Sequence, residues 1–277
     1  MAETAYTIQY RSEYIPGFEQ TKSLLEQSVT HEAVIKGNQA TFLVADSGSA
    51  TTTTRGVNGR IQSRGDNNTQ PTATLTEEHD LVEKTGFNVF ASQGDQRRIM
   101  QQTSMGTVNR KKDQQILAAL SAATLTQGAA ATASLSMFAR SIAILGNNSA
   151  VEGEVGAVIS YAAYAYLLQV PEFTSVDYVD TKSLLNTNAT NAFRWMGINF
   201  IVHPNIAGKG TASETLYVYN KSAIGHATDV SGMQVFAGYD EEQDYSWARA
   251  SIYMGAKLLQ NTGVVKITHD GSAFAAV

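Results

Sequence analysis

The side chains able to do chemistry are few and scattered. Five histidines stand at His31, His79, His203, His226 and His269, and no two have the i, i+4 spacing that puts a metal pair on one helix face. His79 lies among Glu77, Glu78, Asp80 and Glu83, a group that could attract a cation, although such a run is ordinarily a solvated strand end. Gly208-Lys209-Gly210-Thr211 shares its last residues with a phosphate-binding loop. It lacks the first glycine of that loop and has Gly where Ser or Thr should follow the lysine, so a glycine-rich turn between strands is expected instead. Asp240, Glu241, Glu242 and Asp244 could pair as carboxylates but read as a solvated loop, and no Gly-x-Ser-x-Gly occurs. With no cysteine, thiolate metal sites, disulfides and cysteine nucleophiles are excluded. The expectation is a chain with no catalytic residues, no cofactor, no metal and no enzymatic activity.

Composition agrees. The 277 residues are 43% hydrophobic but only 16% charged, against about 25% in a typical soluble domain, and the balance is Gly, Ser, Thr, Asn, Gln and Ala. A surface with few charges to desolvate suits extensive contact with other protein. The formal net charge of -5 argues against general attraction to nucleic acid. The N-terminus has neither a basic start nor an apolar run, and no 18-residue window is apolar throughout, so neither a secretory signal nor a membrane contact is expected. Assembly in a cytoplasm follows as the expectation.

Five segments must position whatever the chain does. Residues 1–36 carry Tyr6, Tyr10 and Tyr14 at a spacing of four, with Pro16-Gly17 breaking any long helix, and read as an N-terminal arm or a helix packed on its own domain. Residues 37–90 begin and end in strand-like runs, Gln39 to Ala45 and Thr72 to Phe90. Between them, 15 of the 24 residues from 47 to 70 are Gly, Ser, Thr or Asn, and Val57 and Ile61 are the sizeable apolar side chains. Such a stretch cannot bury enough to order itself. It is a surface loop or a projecting hairpin that needs a partner. Arg55, Arg60 and Arg64 are its charged handles, and Gly37 and Gly86 are candidate hinges.

Residues 91–127 predict a long helix capped at Ser92, with Asp95 near its positive end and an apolar stripe of Met105, Val108, Ile116, Ala119 and Leu120. Arg97, Arg98, Arg110, Lys111 and Lys112 are its basic residues. The last three could face packaged nucleic acid, although a solvated helix face is the better reading. Residues 128–240 alternate helices (Leu135 to Leu145, Tyr161 to Leu168) with strands (Val155 to Ile159, Gly197 to Val202, Thr215 to Tyr219), and 241–277 hold strands at Tyr245 to Met254 and Val264 to His269. The class is α+β.

The order of these features resembles the major capsid proteins of tailed phages that share the HK97-type shell fold. The resemblance covers essentially the whole chain. It is carried by Ala33-Val34-Ile35-Lys36-Gly37-Asn38 leading into the loop and by Gly197 to Ile206. Leu216 to Gly225, Tyr245 to Leu258 and Gly263 to Ile267 carry it further. It implies an N-terminal arm (1–36), an extended loop (37–90), a spine helix of the peripheral domain (91–127), an axial domain (128–240) and closing strands of the peripheral domain (241–277). It also implies an icosahedral shell of hexamers and pentamers, located in the virion, around packaged double-stranded DNA. A portal and a separate scaffolding or decoration protein would be its partners, with each loop laid across a neighbour. The chain enters the arm almost at once, which predicts a separate scaffold or none rather than a long prodomain, and no crosslinking Lys-Asn pair can be matched. Two alternatives stand beside this: a cellular nanocompartment shell of the same fold, and a hydrolase using Glu77, Glu78 or Asp244.

Overall fold

The structure is a computed structural model that describes residues 20, 22–31, 34–91, 95–171, 192–229 and 231–274. Tyr6, Tyr10, Tyr14, Ser92 and the side chain of Arg97 lie outside the described residues. In chain order the elements are β1 (Val34–Lys36), β2 (Gln39–Thr41), β3 (Thr72–Thr74), β4 (Thr76–Thr85), α1 (Gly86–Ala91), α2 (Gln96–Ser121) and α3 (Leu135–Asn147). There follow β5 (Val155–Ile159), α4 (Tyr161–Leu167), β6 (Ala192–Trp195), β7 (Ile198–Val202), β8 (Glu214–Asn220), β9 (Ile224–Thr228), β10 (Gln234–Asp240), β11 (Tyr245–Leu258) and β12 (Val264–His269). No helix among the described residues is long and apolar enough to cross a membrane.

The chain divides into two compact units. The larger comprises Leu24–Leu75, Gln114–Ala227 and Gly255–Val277. Its centre is a five-stranded sheet in the order β12-β8-β5-β7-β6, with β5 parallel to β7 and the other pairs antiparallel. Every residue of β5 is buried, as expected of a strand covered on both faces. Phe138 of α3 meets Phe200 edge-on at 5.0 Å, while Phe193 stacks on Phe200 at 5.0 Å and packs against Tyr164 of α4. Met196 and Gly197, with φ of 51° and 76°, form the two-residue turn that joins β6 to β7. The sequence expectation grouped 241–277 as one set of closing strands. Instead β12 pairs along its length with β8, and Val264, Val265 and Ile267 are buried in the core that surrounds this sheet.

The smaller unit includes Thr76–Asp113 and Thr228–Met254. Here β11 runs between β10 and β4, antiparallel to both. Val108 of α2 packs with Ala250, Ile252 and Met254, and Met233 and Val235 border them. The long helix begins later than its sequence suggested. Asp95 caps it by accepting from Arg98 N at 3.3 Å. Its inward stripe also differs: Met105 is exposed, and Ser104 and Met100, one and two turns before Val108, are buried instead. The segment expected to continue as strand from Gly86 to Phe90 is helix α1.

Candidate assembly interface

The extended loop is rooted by short-range pairing. β1, β2 and β3 form a three-stranded antiparallel sheet in which Gln39, Ala40 and Thr41 face Thr74, Ala73 and Thr72. Beyond it Phe42 N donates to Pro71 O at 3.0 Å, Val44 and Thr69 exchange two bonds of 2.9 Å, and Asn67 N donates to Asp46 O at 2.9 Å. The root is also packed. Phe42, 1% exposed, joins Ala40, Ala73 and Ala227 in a small core bordered by Ile35, Leu75 and Leu259. Gly225 makes room for it, since a Cβ there would lie 2.6 Å from the Phe42 ring.

Past this root the packing stops. Every residue from 45 to 70 is exposed. The apex is a turn in which Gly59 N donates to Gly56 O and Gly56 N to Arg60 O, with Gly59 at φ 69°. Val57 is fully exposed there and Ile61 largely so. Arg55 donates to Gly59 O at 3.1 Å, and Arg64 donates to Ser47 O and pairs with Asp66 at 3.0 Å. The Arg60 side chain makes no hydrogen bond or ion pair among the described residues.

The two candidate hinges differ. Gly37, at φ 62°, sits in the open turn between β1 and β2 with nothing near its Cβ position. Gly86 is no open joint: its N–H donates to Asp244 O at 2.9 Å, and the Asp244 carboxylate occupies the space a Cβ would need. The basic residues of α2 also separate. Arg110 is half-buried, Lys111 reaches Glu78 at 3.5 Å, and Lys112 is buried, so Lys112 offers no charge to an external polyanion.

The carboxylates that might have acted together are held apart. Glu77 and Glu78 are successive residues of β4 and so point to opposite faces. Glu77 bonds His79 Nε2 at 2.7 Å, and the other ring nitrogen of His79 bonds Ser251 Oγ at 2.8 Å. Asp244, which accepts from Tyr239 Oη, precedes the residue paired with Thr85 at the far end of β4. That places it about 25 Å along the strand from Glu77.

A model of the phage capsid protein family matches residues 2–271. The chain belongs to the phage capsid protein family. No curated protein matches its sequence. Its fold is similar to solved structures of low identity. A chain from Mycobacterium phage Che8 gives a TM-score of 0.72 at 14% identity, covering 96% of this chain and 98% of that one. The capsid of a native GTA particle gives 0.70 at 13%, covering 97% of each chain. The head of Helicobacter pylori bacteriophage KHP40 gives 0.72 at 9%, covering 97% of this chain and 95% of that one. The α+β capsid fold expected from the order of elements is therefore the fold of this protein, a major capsid protein of the phage shell.

One cluster in the capsid protein escaped sequence reasoning. Glu214, fully buried at the start of β8, accepts from Ser160 Oγ at 2.6 Å, Gly210 N at 2.7 Å and His269 Nδ1 at 2.9 Å. Burial acts to raise its carboxyl, but these three donors outweigh it and hold the group below the usual carboxylate range. Serine and histidine both donate to one carboxylate oxygen, so the histidine does not accept the serine's proton as the base of a nucleophilic triad would. The cluster is a pin. It ties the N-cap of α4, the 208–213 turn and the end of β12 to one side chain. Its serine and histidine stand 54 and 55 residues from Glu214 in sequence, and no local motif could have revealed it.

Proposed function

We propose that the capsid protein is a structural tile that does no chemistry of its own, assembling into hexamers and pentamers of an icosahedral shell by laying its extended loop across a neighbouring subunit. The observation that carries this is the unbroken exposure of residues 45–70 beyond a packed root. Loops of this length in compact proteins are uncommon unless functional. A ribbon with no sheet or helix behind it is marginal alone, and the partner present in every assembling particle is another copy of the chain. Weak contacts suffice, because each subunit makes several and the later ones form at high effective concentration. Double-stranded DNA would fill the shell without sequence preference, with Arg110 and Lys111 the members of the basic stretch able to meet it. The open turn at Gly37 gives the loop sheet room to adjust. Assembly would take place in the host cytoplasm, with a portal and a separate scaffolding or decoration protein as partners.

The test is Arg60→Glu combined with Arg64→Glu. The variant folds normally but forms few shell-sized particles by electron microscopy, and particles of normal number and stability would refute the reading. Co-purification of an enzyme without DNA would instead favour a nanocompartment shell.

A further inference from the structure

The apex of the extended loop joins two residue types whose pairing lets a peptide chain change by itself. Asn58 is followed by Gly59, and no other asparagine in the chain precedes a glycine. An asparagine side chain can close a five-membered ring on the backbone nitrogen of the next residue. Closure needs an amide free to swing, a following residue that does not obstruct it, and a nitrogen able to lose its proton.

All three conditions hold at the apex. The Asn58 side chain is exposed and makes no hydrogen bond among the described residues. Gly59 has nothing within 4 Å of the place a Cβ would take, and its φ of 69° lies in the left-handed region that glycine visits freely. Its N–H is held by the turn bond to Gly56 O at 2.9 Å, a solvent-exposed bond of modest net strength. Arg55 and Arg60 flank the turn and no acid lies among residues 47–65, so the local charge favours the deprotonated nitrogen.

The fold supplies its own contrast at Asp270-Gly271, since a protonated aspartate can close the same ring. There Gly271 is buried, its N–H donates to Thr211 O at 3.1 Å, and the Glu214 carboxylate fills the space of a Cβ. Asp270 accepts from Ser272 Oγ and N, which hold its carboxyl below the usual range and therefore in the unreactive ionised form.

We propose that Asn58 is a site of spontaneous deamidation, through which the loop tip records the age of the unassembled subunit. The Gly59 nitrogen, its proton taken by hydroxide, bonds to Asn58 Cγ. The Cγ–Nδ2 bond then breaks, and ammonia leaves with a proton returned by water. A further water opens the succinimide, at Cγ to give aspartate or at the main-chain carbonyl to give isoaspartate. No enzyme, metal or redox partner is required, and no substrate is turned over. The new carboxylate offsets one of the three arginine charges of the tip, and isoaspartate adds a methylene to the backbone. On the reading that a neighbour covers the tip, the same change is slow inside a shell, where the turn cannot open.

Peptide mapping tests it. Purified unassembled subunit is held in mildly alkaline buffer, sampled with time and digested with trypsin, which cuts after Arg55 and Arg60 so that peptide 56–60 reports Asn58 alone. That peptide converts to acid forms, isoaspartate in excess, at least about tenfold faster than any other asparagine peptide or the Asp270-Gly271 site. In denaturant the Asn58 rate changes by no more than about fivefold, the worth of one exposed hydrogen bond, whereas the Asp270 site accelerates. Asn58→Gln, whose longer side chain must close a larger ring, stays intact. An Asn58 peptide that keeps its amide while others convert, or that yields aspartate without isoaspartate, overturns the proposal. Assembled particles separate this from the loop reading. Fast conversion in free subunits with slow conversion in shells supports both; equally fast conversion in each supports the site and refutes the covered tip.

Discussion

The root and the arm of the extended loop are consecutive stretches of one chain with opposite packing. At the root, Phe42 is buried against Ala40, Ala73 and Ala227, and Gly225 leaves space for its ring. Three residues further on the arm begins, and from 45 to 70 no side chain is buried. Thr41 and Thr51 differ little as residues, yet one sits in a ladder and the other in solvent. The difference lies in what stands behind them. It follows that substitutions at the root should act on folding, while substitutions in the arm should leave folding alone and act on assembly.

The largest effect is expected for Phe42→Ala, which empties the root core and should cost about 3–5 kcal/mol of stability. Denaturant unfolding of the unassembled subunit measures it, and a loss comparable to that of an arm variant would erase the contrast. Next comes Glu214→Ala, which leaves buried donors on Ser160, Gly210 and His269 without their acceptor and should cost about 2–4 kcal/mol. The same residue sets a pH dependence. Its folded-state carboxyl is held below the ordinary value of 4.5, so its contribution is present above that pH and disappears as pH falls below it. Between about pH 6 and about pH 3 the wild type should lose stability that Glu214→Gln does not lose to the same extent, as thermal unfolding across that range would show. A flat wild-type profile would contradict the pin. Asp46, at the start of the arm, is also held low, first by Gly48 N and then by Asn67, but it is fully exposed and should add little to this slope.

A smaller loss, about 1–3 kcal/mol, is expected for Gly225→Ala, whose methyl group enters the Phe42 ring space from the opposite side. Phe42→Leu in the same chain should recover part of it, because the smaller side chain vacates the contact. Least of all should change with Val57→Ser at the apex: within about 0.5 kcal/mol by unfolding. Its effect should appear in particle yield, and a clear shift in unfolding would mean that the arm packs on its own chain after all.

Much of this was legible in the residues. The helices at Leu135 and Tyr161 and the strands at Val155, Ile198, Thr215, Tyr245 and Val264 emerged where apolar periodicity and turn signals placed them. The loop announced itself because Gly, Ser and Thr at most positions leave nothing to bury. Less legible were β6, β9 and β10, whose pattern depends on neighbours they pair with rather than on their own alternation. Lys112 read as part of a solvated helix face, and Asp113 follows it. Both are buried, and Asp113 accepts hydrogen bonds from Ser23 Oγ at 2.5 Å and from Gln20 Nε2.

What the sequence by itself determined was local: which segments are periodic enough to form helix or strand, which is too polar to order itself, and that no nucleophile or metal motif is present. Tertiary structure decided the rest. It put β12 beside β8, packed Phe42 over Gly225, and gathered Ser160, Glu214 and His269 on one carboxylate. Each of these joins residues far apart in the chain, and such contacts depend on which surfaces meet after the elements form, a property no single stretch of sequence contains.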